Sequence, residues 1–203
     1  MNKRGYFITG IGTEVGKTIV SAVLCKALEA DYFKPVQCGD LDMPEGGKIS
    51  SLVPGTYIHP TVYSLREPVS PHRAARMEGI EISLDAIQLP QSDRILIVEG
   101  AGGLMVPLND SQTMTDLVRS LELPLILVVN HYLGSINHTL LSLGLIRMHD
   151  LPFAGIVFNG NPDPESERII HTLSGAEILG HVSYMDELSP EQVTRAAANI
   201  KIV

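Results

Sequence analysis

Positive charge is scarce in this chain: 15 Lys and Arg residues face 23 Asp and Glu, a formal net charge of −8. Phosphate backbones need basic surfaces, so neither nucleic acid nor an anionic membrane surface is expected as a main partner. Cysteine is almost missing. Cys25 and Cys38 make no disulfide framework, and one of them sits in a predicted helix, which points to a reducing, cytoplasmic setting. No apolar run approaches the length needed to span a bilayer. The basic start Met1-Asn2-Lys3-Arg4 leads into apolar residues, but that stretch is short and Glu14 and Lys17 follow at once, which argues against a secretory leader. The seven histidines show no metal-ligand spacing, so a zinc site is not expected. Repeats, low-complexity tracts and linkers are lacking too. A length of 203 residues with a 44% hydrophobic fraction therefore suits one domain, 1–203, with a substantial core.

What is present is alternation. Strand-like runs cover 6–9, 32–36, 95–99, 125–130, 154–159 and 178–182, and helix-like runs cover 17–28, 71–78, 114–121, 135–149, 164–173 and 190–197. Several strands are continuous apolar runs, such as Leu125-Ile126-Leu127-Val128-Val129, as expected of strands buried on both faces of a parallel sheet. The pattern predicts an α/β fold of three layers, with a mostly parallel central sheet flanked by helices. The stretch 37–69, rich in Gly, Pro and Ser, reads as a long loop with a functional role. Ligands in such folds bind beyond the carboxyl ends of the strands. Four segments fall there and are expected to converge: the loop after Thr9, then 34–40, 99–103 and 159–161.

The first of these is the most informative. Residues 10–18 read G-I-G-T-E-V-G-K-T, between a short apolar strand and a helix-compatible run. Glycines let consecutive N–H groups curl around phosphate oxygens, and the helix that starts beside Lys17 adds its positive dipole end. Lys17 is placed to reach the terminal phosphates and Thr18 to ligate Mg²⁺. The spacing departs from the usual phosphate loop: Gly10 is followed by five residues before Gly16-Lys17, and Gly12 by three.

Other residues acquire readings beside it. Glu99 ends a predicted strand and precedes Gly100-Ala101-Gly102-Gly103, a place where nucleotide hydrolases keep a Mg²⁺-binding acid; the bland alternative is a strand-end carboxylate in a flexible turn. Lys34, before Pro35, suits neutralisation of a second anionic reactant, or is a solvated strand-end lysine. Asp40, Asp42 and Glu45 supply another metal ligand or form a solvated acidic loop. Gly134, Ser135, Ile136 and Asn137 open a helix, either as a carboxylate site or with Ser135 as an ordinary cap. Asn159 offers a donor and an acceptor to a purine edge, or sits in a plain turn. Cys38 has nothing basic beside it in sequence and is expected to be inert.

Six segments resemble the dethiobiotin synthetase family over most of the chain, from Thr9 to about Leu188. They read T-G-I-G-T-E-V-G-K-T (9–18), F-K-P-V-Q-C-G (33–39), E-P-V-S-P-H (67–72), V-E-G-A-G-G-L (98–104), P-L-N-D (107–110) and L-G-S-I-N-H (133–138). The family's loop carries the same long spacing and the same Glu. The resemblance implies a homodimeric P-loop NTPase-like ligase of biotin synthesis that uses ATP, Mg²⁺ and CO₂ to close a cyclic urea on 7,8-diaminononanoate. One amine captures CO₂ as a carbamate, ATP phosphorylates it, and the second amine displaces phosphate. Carried over by position, Lys17 and Lys34 are catalytic. Glu14, Val15, Gly16, Lys17, Thr18, Ile19, Glu99, Gly100, Ala101, Gly102, Asn159 and Gly160 bind the nucleotide. Thr13, Lys34, Cys38, Gly134, Ser135, Ile136 and Asn137 bind the substrate, whose carboxylate is taken across the dimer interface. Thr18, Glu99 and Glu45 hold the metal, with Asp42 as a rival to Glu45.

Three positions depart from the family's pattern. Cys38 stands where a small hydroxyl residue is usual, Glu45 or Asp42 where an Asp is usual, and Gly180-His181-Val182-Ser183-Tyr184 lacks a usual Pro. Two other readings share the fold. A partitioning-type ATPase switch carries a second lysine early in the loop, which 11–14 lacks. An ATP-dependent amide-forming synthetase is expected to need a glutaminase domain as well.

Overall fold

The computed structural model describes residues 5–202; the basic start weighed above as a leader, 1–4, lies outside them. Its first half runs β1 (Gly5–Gly10), α1 (Lys17–Leu28), β2 (Asp31–Phe33), β3 (Val36–Cys38), α2 (Glu45–Leu52), β4 (Ile58–His59), β5 (Tyr63–Leu65) and α3 (Pro71–Met77). Its second half runs β6 (Leu96–Gly103), α4 (Met114–Leu121), β7 (Leu125–Asn130), α5 (Ser135–Met148), β8 (Phe153–Asn159), α6 (Pro164–Ser174), β9 (Ile178–Val182) and α7 (Pro190–Ala197).

Seven strands form a sheet in the order β4-β2-β6-β1-β7-β8-β9, and each of its strand pairs is parallel. Period-two alternation divides the apolar runs between two cores. Along β7, Leu125, Leu127 and Val129 face one core, which α3, α4, α5 and α6 cover. Ile126 and Val128 face the other, with α1, α2 and α7. Phe7 and Ile8 divide in the same way on β1. Burying each such side chain contributes about 1.5–3 kcal/mol, so the two cores fix which side of the sheet each polar strand residue must face.

The expected three-layer architecture is therefore present, with corrections. The stretch 37–69 is no loop: it holds α2, β4, β5 and most of β3. The expected strand 32–36 is two strands. Pro35 has no N–H to continue the ladder, and its carbonyl instead accepts from Val62 and Tyr63 N–H groups. After it the chain leaves the main sheet, and β3 pairs with β5 in a separate two-stranded sheet. Glu99 does not end its strand. β6 continues to Gly103, which pairs with Gly10 across an irregularity between Ile8 and Gly10. The bare α-carbon of Gly100 makes this possible, since a Cβ there would lie 2.8 Å from the Phe7 ring.

Candidate active site

The loop between β1 and α1 is held in an unusual shape. Glu14 (φ 59°) and Gly16 (φ 90°) both take left-handed backbone, which turns successive N–H groups toward one concavity. α1 then begins at Gly16 with no side-chain cap, which leaves its first N–H groups for an external anion. Val15 is buried and anchors the loop, Thr13 and Glu14 are exposed, and Ile19 is half-buried. Asn159, at the end of β8, donates from Nδ2 to the Val15 carbonyl at 3.0 Å. Strand and loop are so close there that Asn159 sits where a side chain on Gly16 would be. Gly160 follows with φ 103°, its N–H on the Val182 carbonyl and its own carbonyl 2.9 Å from His181 Nε2.

Glu99 is the centre of the site. It is 1% exposed, yet three donors from two segments reach it. Thr18 Oγ1 donates to Oε1 at 3.0 Å, Lys34 Nζ to the same oxygen at 2.9 Å, and Tyr32 OH to Oε2 at 3.0 Å. Register explains the meeting. Phe33 pairs with Val98, so the next residues along, Lys34 and Glu99, come side by side. Burial alone would neutralise either group, but each holds the other charged: Lys34 stays above the ordinary lysine range and Glu99 below the ordinary carboxylate range. Glu45, at the start of α2, adds a carboxylate 3.5 Å from Lys34 Nζ. Its Oε2 is buried and has no hydrogen-bond partner.

Lys17 folds back over the loop, with Nζ donating to the Gly12 carbonyl at 2.9 Å. Burial pushes its pKa down to about 8, Glu99 opposes that fall, and Lys34 adds to it. The two lysines are thus close enough to feel each other across Glu99. Thr18 Oγ1, Glu99 Oε1 and the orphaned Glu45 Oε2 are all oxygens, the donor type that a hard cation such as Mg²⁺ takes. Among the described residues no group of three or more His, Cys, Asp or Glu side chains could hold a metal.

Other expected residues fall around this centre. Gly100, Ala101 and Gly102 run along β6 beside the loop, and the α-carbon of Gly102 faces Thr13. Of the two rival acids, Glu45 reaches Lys34 while Asp42 is exposed. Asp40 instead pairs with Lys48 at 3.5 Å. Cys38 lies on β3, and burial foremost pushes its thiol up to about 11, in keeping with the inert reading. Gly134, not Ser135, caps α5, and no side-chain cap bond is made. Ser135 is buried, Ile136 half-buried and Asn137 exposed. No hydrogen bond or ion pair among the described residues joins this turn to the Glu99 cluster. Tyr32 is the functional residue that sequence reasoning missed. Its signal was available: it lies two residues before Lys34 on an extended segment, so both side chains fall on one side.

Residues 4–192 match the family described as AAA domain. Over 198 residues the chain is 49% identical to the ATP-dependent dethiobiotin synthetase BioD of Cytophaga hutchinsonii, with 96% of each chain covered. Over 190 residues it is 44% identical to the same enzyme of Christiangramia forsetii, with 91% of each covered. Among solved structures, the septum site-determining protein MinD complexed with Mg-ADP, from Pyrococcus horikoshii OT3, has a TM-score of 0.59 at 13% identity. The match covers 96% of this chain and 94% of that one, and it is a likeness of fold alone. Relatives of nearly half identity match almost end to end, and the loop, Lys34 and Glu99 gather in one place: the chain belongs to the ATP-dependent dethiobiotin synthetase family.

Proposed function

We propose that this protein closes the cyclic urea of dethiobiotin on 7,8-diaminononanoate, with CO₂ as the carbon source and ATP as the driving reactant. One diamine nitrogen adds to CO₂ and loses a proton, giving a carbamate. The γ-phosphoryl group passes to a carbamate oxygen as the bond to ADP breaks. The second amine attacks the carbamate carbon, and orthophosphate leaves with that oxygen. The chemical difficulty is to hold a polyanionic nucleotide against an anionic carbamate.

The observation that carries this reading is the Glu99 carboxylate gripping Thr18 and Lys34 through one oxygen. It ties a phosphate-loop hydroxyl to a second buried ammonium. Lys17 and the uncapped start of α1 face the phosphates, and Lys34 faces the transferring group and the carbamate. Fixed charge at those oxygens lowers the barrier because it needs no reorganisation when the reaction occurs. Thr18, Glu99 and Glu45 would hold Mg²⁺, which when bound would offset the negative charge of the phosphates. Asn159, with one amide hydrogen on Val15, keeps its remaining donor and its acceptor for the adenine edge. The test is mass spectrometry on diaminononanoate, bicarbonate, ATP and Mg²⁺. Dethiobiotin and ADP in equal amounts support the reading. ATP hydrolysis without dethiobiotin would favour the switch ATPase, whose fold this chain shares.

Glu45→Ala is expected to raise the Mg²⁺ concentration for half-maximal activity about tenfold. An unchanged metal titration would remove Glu45 from the metal site.

The substrate's carboxylate is assigned to the N–H groups of Ile136 and Asn137 in the first turn of α5, since that of Ser135 already donates to the Tyr132 carbonyl, in a site completed by a second copy of the chain. The outer side of α5 and the turn before it support this, since Leu133 in the turn is fully exposed and Leu141 and Met148 on the helix are 63% and 76% exposed. A charge on that stripe opposes pairing. Leu141→Glu is therefore expected to run as a single chain in light scattering and to lose most of its kcat/KM for the diamine. Persistent dimers would place the interface elsewhere.

A further inference from the structure

We infer that Tyr32 is a positioning residue that fixes which carboxylate oxygen Glu99 presents to the metal and phosphates. The inference rests on the reading of Glu99 as a metal-side ligand. In the structure Glu99 has three donors, but two of them share Oε1. Those two, Thr18 and Lys34, are the groups that the reaction requires elsewhere. Thr18 must turn a lone pair toward the cation, and Lys34 must turn to the transferring phosphoryl group. With both gone, the hydrogen bond from Tyr32 to Oε2 at 3.0 Å still holds the carboxylate, while the nearby Ser21 hydroxyl is buried and makes no hydrogen bond of its own.

The surroundings make that hold rigid. Tyr32 is wholly buried on β2 among the core residues of α1 and α2. β2 pairs with both β4 and β6, so the phenol cannot drift relative to the strand that carries Glu99. A carboxylate oxygen can only accept, so the Tyr32 hydroxyl is the donor of this bond. A carboxylate anchored through Oε2 has Oε1 left on the side of Thr18, where the phosphate loop ends. Without the anchor it is free to rotate, and the donor set for the cation becomes a mixture of orientations.

The test is Tyr32→Phe, which keeps the ring and removes one oxygen, with Glu99→Gln beside it. Free Mn²⁺ is followed by electron paramagnetic resonance as it binds the ADP complex, and ADP binding is measured separately in EDTA. Tyr32→Phe is expected to weaken Mn²⁺ binding about tenfold, the cost of one hydrogen bond to a charged group. Metal-free ADP binding is expected to stay within twofold of the parent. If Glu99→Gln weakens Mn²⁺ binding and Tyr32→Phe does not, the role of Tyr32 is overturned and the metal reading stands. If Glu99→Gln also binds Mn²⁺ normally, the metal reading itself fails. Equal losses of metal-free ADP binding and Mn²⁺ binding in Tyr32→Phe, or a failure to fold, would make Tyr32 merely structural and overturn the inference.

Discussion

Lys34→Ala is expected to abolish dethiobiotin formation, lowering turnover by about 10³-fold, the loss typical when a fixed donor to a developing charge is removed. The effect should fall on kcat and leave ADP binding close to normal, because Lys17 and the loop N–H groups remain. The structure adds a consequence for stability. Lys34 is the counter-charge for both Glu99, at 2.9 Å, and Glu45, at 3.5 Å. Its removal leaves a buried carboxylate with only the more distant Lys17 to oppose its charge, at a cost of about 3 kcal/mol. The sign with pH follows. Glu99 titrates below the ordinary carboxylate range in the parent, so its pairing stabilises the fold above that range and is lost as pH falls through the depressed value. In the variant, burial raises the same group. The stability gap between the two proteins is therefore widest near neutrality and narrows below about pH 5. Urea unfolding at pH 7.5 and pH 4.5 measures it. Near-parental turnover, or a gap that widens in acid, would contradict the assigned pairing.

Gly16→Ala is expected to cost nucleotide affinity about 100-fold or more. Two independent penalties meet at this residue. Its φ of 90° is one that a residue with a Cβ rarely takes. The added Cβ would also lie 2.0 Å from Asn159 Nδ2, so Asn159 must move and release the Val15 carbonyl. The phosphate loop and the residue proposed to read the base are thus disturbed by one methyl group, and 100-fold in affinity corresponds to about 2.7 kcal/mol. Gly47→Ala is the control. Gly47 lies inside α2, where an added Cβ meets only Pro44 Cδ at an ordinary 3.8 Å. That change should leave binding intact and stabilise the helix by up to about 1 kcal/mol. Calorimetric ADP titrations of both variants decide the point. Normal binding by Gly16→Ala would mean that the observed loop is not the conformation that receives phosphate.

Much of this was legible in the sequence. The limits of α1, α4, α7, β7 and β9 coincide with the expected ones, because strong apolar periodicity and Pro or Gly at the ends mark them. The meeting of the loop, Lys34 and Glu99 followed from the rule that sites lie beyond the carboxyl ends of parallel strands. What escaped has physical reasons. α2 reads E-G-G-K-I-S-S-L, whose two glycines disfavour a helix, and its formation depends on burying Ile49 and Leu52. β4 has two residues and β5 three, too short for any period to show. The continuation of β6 through Gly100–Gly103 required knowing that Phe7 fills the space over Gly100. Tyr32 was counted as an ordinary strand residue: its spacing from Lys34 put both on one side of the strand, but the sequence did not show that its hydroxyl ends on Glu99.

In the proposed reaction one pocket brings ATP to a carbamate oxygen. The most direct test supplies bicarbonate labelled with ¹⁸O, diaminononanoate, ATP and Mg²⁺, and weighs the orthophosphate released over a few turnovers. Attack by a carbamate oxygen on the γ-phosphorus predicts one ¹⁸O in each phosphate released with dethiobiotin. Dethiobiotin formed alongside unlabelled phosphate would contradict it.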